Sequence, residues 1–268
     1  MTDLHIHTLY SDGEYNEHEI VELIENSQVT EFAITDHDTI IGSMKVAEIL
    51  KQTNSNIIFH SGVEMTCRIF DYMGGINVHL LYRDFDYDNP VLEKFLIKAQ
   101  LLRKEKIAAT REFVKDTIGI EIPWERLNEF CENIHVFAKP HMYKLICEYA
   151  NYDRDKYYKI MDKMDTQRFK LDAVEVIEAL REYKGYFTLA HPREIMNEYD
   201  LNYQDIDNIV SYLVQHGLKG IETKHSKQSE LDHIEFSKIA KRYNLIETFG
   251  SDYHGPTVKP TVKLGGYR

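Results

Sequence analysis

Polar and apolar positions change rhythm twice along the chain. At the start, Leu4 and Ile6 alternate with Asp3, His5 and His7, the period of two expected for a strand with one buried face. From Asn16 to Gln28 the period lengthens. Ile20, Leu23 and Ile24 share one side and Glu19, Glu22 and Glu25 the other, which predicts an amphipathic helix. Phe32-Ala33-Ile34 predicts a short buried strand, 42–52 a helix, and Ile57-Ile58-Phe59 a strand leading to Gly62-Val63-Glu64-Met65-Thr66. Ile76 to Leu81 reads as a further strand. Short apolar strands between amphipathic helices predict an α/β fold with a mainly parallel sheet.

The rhythm is then almost purely helical. Asn89-Pro90 opens a long helix with Leu92, Phe95, Leu96, Ala99 and Leu102 on one stripe, and further helices are expected over 139–149, 153–164 and 171–183. After Tyr183 the strand–helix alternation returns. Tyr186 to Ala190 is a strand ending at His191-Pro192, and Tyr203 to His216 a helix stopped by Gly217. Gly220 to Thr223 is a strand, with His225-Ser226 reading as the cap of the next helix. Leu245 to Phe249 is the last strand, ending in Gly250-Ser251-Asp252-Tyr253-His254-Gly255. The expected organisation is an α/β domain over 1–89 and 184–268, with a helical insertion domain over 90–183.

Composition narrows the class. Apolar residues make up 43% and charged residues 28%, ordinary for a globular chain, and the net charge is −12. That balance speaks against a broad basic surface for duplex nucleic acid. It leaves a nucleotide substrate open, because bound divalent cations reverse the sign locally. Cys67, Cys131 and Cys147 form no CxxC pair and read as reduced thiols. No apolar run approaches the length of a membrane span, and no basic segment followed by an apolar stretch opens the chain. Cytoplasm is the expected compartment.

The chemistry lies in where the histidines and carboxylates fall. His5, His7, Asp12, His37, Glu64, His79, His191, Asp252 and His254 mostly sit at or just beyond the ends of predicted strands. In parallel α/β barrels that end carries the active site. Imidazoles and carboxylates without thiolates suit Zn, Mn or Fe in a working site, not a structural zinc knot. Nine candidates exceed what one ion takes; with a bridging carboxylate they suffice for two or three. Asp36 and Asp38 are read differently, Asp38 as the cap of the following helix.

The motifs occur in an order that resembles a known family. His5-x-His7 with Ser11-Asp12-Gly13, Thr35-Asp36-His37-Asp38-Thr39, Gly62-Val63-Glu64, Val78-His79-Leu80-Leu81, Ala190-His191-Pro192 and Gly250 to Gly255 together resemble the PHP family, named for polymerase and histidinol phosphatase. The likeness covers nearly the whole chain. It is greatest to the branch with a helical insertion, which includes nucleotide 3′,5′-bisphosphate phosphatases and 5′→3′ RNA exonucleases. The resemblance implies a distorted (β/α)7 barrel and three divalent metal ions. It implies His5, His7, Glu64 and Asp252 on the first ion, Glu64 bridging to a second with His79 and His191, and Asp12, His37 and His254 on a third. Two stretches depart from the family pattern or fall where it varies, Ala138-Lys139-Pro140-His141 in the insertion and Glu222-Thr223-Lys224-His225-Ser226 after the late strand; both bear on substrate choice.

The expected activity is hydrolysis of a small phosphorylated substrate, a nucleotide or short RNA, by a metal-bridging hydroxide. No nucleophile elbow or P-loop suggests a covalent route. Glu64, Asp252, His254 and Arg193 form the expected catalytic set. Arg193, Lys139, His141 and His225 are the candidates for holding phosphate, with the insertion expected to roof the pocket. The alternatives are a cyclic sugar-phosphate diesterase or histidinol-phosphate-type phosphatase, an amidohydrolase cleaving C–N bonds, and a non-catalytic metal-binding domain.

Overall fold

A computed structural model describes residues 1–53, 55–130 and 139–266. The chain divides into two compact units, one of 1–96 with 171–268 and one of 97–170.

The first unit holds all the strands among the described residues: β1 Thr2–Ile6, β2 Glu31–Ile34, β3 Ile58–His60, β4 Gly62–Ile69, β5 Ile76–Arg83, β6 Leu171–Asp172, β7 Tyr186–Leu189, β8 Gly220–His225 and β9 Ile246–Gly250. They form a sheet ordered β1-β2-β3 and a second ordered β6-β4-β5-β7-β8-β9. Two seams join them. His7 N donates to Tyr253 O at 2.9 Å and Asp252 N to His5 O at 2.8 Å, tying the exit of β1 to the exit of β9. Beyond β2, Asp38 N donates to Glu64 O at 2.9 Å and Glu64 N to Asp36 O at 3.2 Å. The strands β1, β2, β4, β5, β7, β8 and β9 therefore close into a distorted seven-stranded barrel. The distortion is β5, which runs antiparallel to both β4 and β7, so the sheet departs from parallel at this strand.

Helices cover the outside: α1 Glu17–Glu25, α2 Ile41–Thr53, α7 Ala173–Leu180, α8 Pro192–Tyr199, α9 Tyr203–His216 and α10 Glu230–Tyr243. Asn16 caps α1 and Asn202 caps α9, each in a reciprocal capping box. The cap of α10 is Ser229, with Asp232 completing the box, and not His225-Ser226. His225 is instead the last residue of β8, which runs two residues beyond its expected end. Asp38 reaches across to β4, its Oδ1 accepting from Thr66 N at 2.9 Å. The apolar core lies between the barrel wall and the helices, where Ile6, Phe32 and Ile34 pack on Ile20, Ile24, Val46 and Leu50.

The helix α3, Pro90–Ile118, carries the chain into the second unit, which adds α4 Trp124–Phe130, α5 Lys139–Tyr149 and α6 Arg154–Met161. Ile107, Val114, Ile122, Met142, Leu145, Ile146 and Tyr157 form its own core. The unit ends at Lys170 because Leu171 and Asp172 pair with Cys67 and Arg68 of β4, which draws β6 and α7 onto the barrel. No helix among the described residues is long and apolar enough to cross a membrane.

Candidate metal centre

Strand alternation turns Leu4 and Ile6 outward into the core and His5 inward, and His7 continues the inward face one residue past β1. The loop that follows is buckled by Asp36. Its carboxylate accepts from Thr8 N at 2.7 Å, Thr8 Oγ1 at 2.6 Å and Ser11 Oγ at 2.6 Å. This fold-back brings Asp12 beside His7, with Asp12 Oδ1 3.5 Å from His7 Nδ1.

Glu64, the third residue of β4, is the hub. Its Oε2 lies 3.1 Å from His5 Nε2, 3.1 Å from His7 Nε2 and 3.3 Å from His37 Nδ1. Its Oε1 lies 2.7 Å from His79 Nδ1 and 3.0 Å from His191 Nε2. One carboxylate thus presents its two oxygens to two groups of imidazoles. Asp252 faces the first group, its Oδ1 3.7 Å from His5 Nε2 and 3.4 Å from His7 Nε2. A further group gathers on Asp12, with His254 Nε2 at 3.1 Å and His37 Nε2 at 3.8 Å. All nine residues singled out in the sequence come together in the barrel mouth.

The donor atoms fit metal ions. A tetrahedral ion with bonds of about 2.1 Å holds its ligands about 3.4 Å apart, and the 3.1–3.7 Å spacings among His5, His7, Glu64 and Asp252 bracket that value. One donor atom each from His7, Asp12, His37 and His254 likewise lies within 4.8 Å of the others. His7 Nε2, Asp12 Oδ1 and His37 Nδ1 are buried without a hydrogen-bond partner among the described residues. Buried polar atoms are seldom left so, and their place within the clusters of imidazoles and carboxylates suits cations.

The surrounding bonds fix which nitrogen faces inward. His5 Nδ1 lies 3.2 Å from Glu222 Oε1, His7 Nδ1 3.3 Å from Ser11 Oγ, and His254 Nδ1 2.9 Å from Asp252 O. Each partner accepts a proton from Nδ1, which leaves Nε2 as the nitrogen that would ligate once an ion displaces any proton on it. Burial alone would depress His5 and His7, but carboxylates outweigh it. Glu64 and Glu222 hold His5 well above its ordinary range, and Asp252 and Glu64 push His7 up to about 9. Burial pulls His37 down to about 3, assisted by the neighbouring His7 and His79 rings. Despite burial, the imidazoles hold Glu64 and Asp252 well below the usual carboxylate range.

Backbone strain marks two of these residues. His191 has φ 27° and Asp252 φ 59°, in the region that L-residues avoid at about 1–3 kcal/mol each. Both lie at strand exits, where the seam bonds and Pro192 at the first turn of α8 leave little choice. Gly250 is required by close approach: a Cβ there would lie 2.3 Å from His5 Cβ and 2.6 Å from Glu222 Oε1.

The phosphate candidates are placed differently. Arg193 is tied to Asp232 at 2.6 Å and to Tyr203 Oη at 3.1 Å. The Lys139 side chain and Ala138 lie outside the described residues. His141 is half-buried on α5 of the second unit. His225 is fully buried with Nε2 3.5 Å from Asp252 Oδ2, making it part of the cluster. Glu222, Glu194 and Lys259 also belong to the surroundings of the cluster and were not among the sequence candidates. Glu222 accepts from His191 N at 2.8 Å as well as facing His5. Its inward direction was readable from alternation along Gly220-Ile221-Glu222. His225 was not, because a bulge between Glu222 and Lys224 resets the alternation.

The chain is 27% identical over 259 residues to a phosphoribosyl 1,2-cyclic phosphate 1,2-diphosphodiesterase of Eggerthella lenta, covering 94% of each chain. It is 26% identical over 265 residues to a 3′,5′-nucleoside bisphosphate phosphatase of Chromobacterium violaceum, covering 95% of this chain and 87% of that one. The chain is a homologue of bacterial phosphoesterases. A solved structure from Bifidobacterium adolescentis, described as a metal-dependent phosphoesterase, superposes with a TM-score of 0.74 at 24% identity, over 99% of this chain and 91% of that one. No family model matches. These likenesses bear out the expected relationship to phosphoesterases.

Proposed function

We propose that this protein is a metal-dependent phosphoesterase that hydrolyses a nucleotide or short oligonucleotide phosphate, with a 3′,5′-bisphosphate as the leading substrate. The observation that carries the reading is Glu64, whose two oxygens face separate imidazole groups at 2.7–3.3 Å. That arrangement suits a carboxylate bridging adjacent cations. His5, His7, Glu64 and Asp252 would hold a first ion, Glu64, His79 and His191 a second, and Asp12, His37 and His254 a third. Such ions, Mn, Zn or Fe, lower the pKa of water and neutralise phosphoryl oxygens when bound.

The chain's own residues do the positioning. Glu222, Ser11 and the Asp252 carbonyl select the tautomers of His5, His7 and His254. His5 and Glu64 are at most 1% exposed, whereas Asp12 is 41% exposed, so a phosphate enters from the Asp12 side. The bisphosphate reading rests on the Chromobacterium relative. A cyclic sugar-phosphate diester is the second reading, favoured by the Eggerthella relative, which matches at slightly higher identity.

Stripping metals with a chelator and restoring Mn should abolish and then recover phosphate release from a 3′,5′-nucleoside bisphosphate. Turnover of a 1,2-cyclic sugar phosphate alone would select the second reading. Absence of hydrolysis across phosphomonoesters and diesters, with C–N bond cleavage present instead, would overturn both.

A further inference from the structure

Asp252 is used from both sides. Its Oδ1 faces His5, His7 and His254, the last at 3.3 Å, whereas its Oδ2 faces His225 and pairs with the Lys259 ammonium. The other cations described around this part of the barrel are differently placed. Arg193 is neutralised by Asp232 and Lys227 by Glu194, carboxylates outside the proposed ligand set. Lys259 instead shares its counter-ion with the metal centre.

Lys259 is held where it is by the chain after β9. Its N–H bonds to Gly255 O at 2.9 Å, and Val262 N closes the turn onto Lys259 O at 3.1 Å. Thr257 is fastened to Glu14 through both N and Oγ1, and Val262 is buried among Ile6, Ile20 and Ile34. The turn is thus anchored on both sides of the lysine. Yet the side chain remains 25% exposed, so it is not sealed in.

Charge decides what this ammonium meets in the working protein. Asp12, Glu64 and Asp252 supply three negative charges and Glu222 a fourth behind His5; three divalent ions would exceed them. With ions bound by His5, His7 and Asp252, the Asp252 charge would be largely compensated, and the ammonium beside Oδ2 would face a net positive centre. A cation in that position is stabilised by an anion spanning it and the ions. An ammonium is a mobile point charge with three donors, suited to a phosphoryl oxygen and indifferent to its exact orientation.

We propose that Lys259 is a substrate-binding residue that receives a phosphoryl oxygen of the substrate beside the metal centre. This rests on the phosphoesterase reading above. The test uses full-length protein, wild type and the variants Lys259→Ala and Lys259→Arg, each loaded with Mn. Metal content is measured by elemental analysis, inorganic phosphate affinity by calorimetry, and kcat and KM on the bisphosphate. Loss of one charge-assisted hydrogen bond predicts phosphate binding weaker by about ten- to a hundredfold in Lys259→Ala, with metal content unchanged and Lys259→Arg recovering part of the loss. Unchanged phosphate affinity in a fully loaded Lys259→Ala would overturn the proposal. So would a fall in metal content with normal phosphate affinity per loaded centre, which would make Lys259 a tuner of Asp252. Wild-type protein that binds Mn but neither binds phosphate nor hydrolyses any phosphoester would overturn the parent reading, and this one with it.

Discussion

Glu222→Gln is the most informative single change because it keeps shape while replacing one acceptor oxygen by a donor NH2 and removing one negative charge beside His5. In the native protein Glu222 Oε2 accepts from His191 N at 2.8 Å and Oε1 faces His5 Nδ1 at 3.2 Å. A backbone N–H can only donate, so the glutamine oxygen must stay with His191. Its NH2 then points at His5 Nδ1 and turns that nitrogen into an acceptor, which places the ring proton on Nε2. Nε2 is the atom 3.1 Å from Glu64, and a protonated nitrogen cannot ligate. Changes of this kind to a ligand's orienting partner cost about 10–100-fold in metal affinity, or about 1.4–2.7 kcal/mol. Mn titration of chelator-stripped protein against a competing fluorescent chelator reads the loss as one weakened equivalent. Because Glu222 acts through His5, turnover should largely return at saturating Mn. Wild-type affinity at every equivalent in Glu222→Gln would refute the assignment of His5 Nε2 as the inward atom, and with it the role given to Glu222.

The partition of ions gives a paired test: Asp12→Ala should remove the outer ion and leave the first bound, whereas His7→Ala should weaken the first, as elemental analysis would report; loss of the same equivalent in both would contradict it. The chelated protein should also show a stability maximum near pH 6.5. Between pH 3 and 6.5 the unfolded chain takes up a proton that His37, held at about 3, refuses, so stability rises with pH by about 1.4 kcal/mol per unit. Between 6.5 and 9 folded His7, held at about 9, keeps a proton the unfolded chain has lost, so its contribution, complete below 6.5, declines by a similar slope. Thermal melts in chelator from pH 5 to 9 check this, and a steady rise from pH 7 to 9 would refute it.

What the sequence made legible follows from local periodicity. Alternation at Leu4 to His7 located an inward His5, and the helical faces of α1 and α9 were plain because each buries one stripe against the barrel. The helix α8 was missed: eight residues between His191 and Asp200 are too short for a periodic signal, though Pro192 marks its first turn. The run of β6 was hidden because two residues carry no period at all. The Asp38 bond to β4 and the burial of His225 were not legible, for a shared reason. Each residue stands where the backbone leaves its regular path, Asp38 at φ 54° and His225 after a bulge, so neighbours along the chain no longer tell which way a side chain points. Lys259 sits in an irregular tail, where only closure of the barrel by β1 and β9 brings it to Asp252.

The inside of the barrel explains why so much of the site depends on such closures. Asp3, His5, Glu64, Arg83, Thr188 and Glu222 are at most 1% exposed, and the apolar clusters that stabilise the fold lie outside the strands. Arg83 Nη2 donates to Thr188 Oγ1 at 2.9 Å and its guanidinium lies 5.1 Å from the centre of the Tyr186 ring, while Nε and Nη1 have no hydrogen-bond partner among the described residues. Buried charges of this kind add little net stability even when paired, and each becomes costly once its partner is removed. The inner wall is therefore held by mutual satisfaction, Asp3 on Ser251 and Gly265, Asp36 on Thr8 and Ser11, Glu222 on His5 and His191. Ions that bind the folded chain and not the unfolded one add stability in proportion to the logarithm of their concentration. In this barrel that added stability acts on the same bonds that aim the ligands, so metal loading and correct geometry reinforce each other.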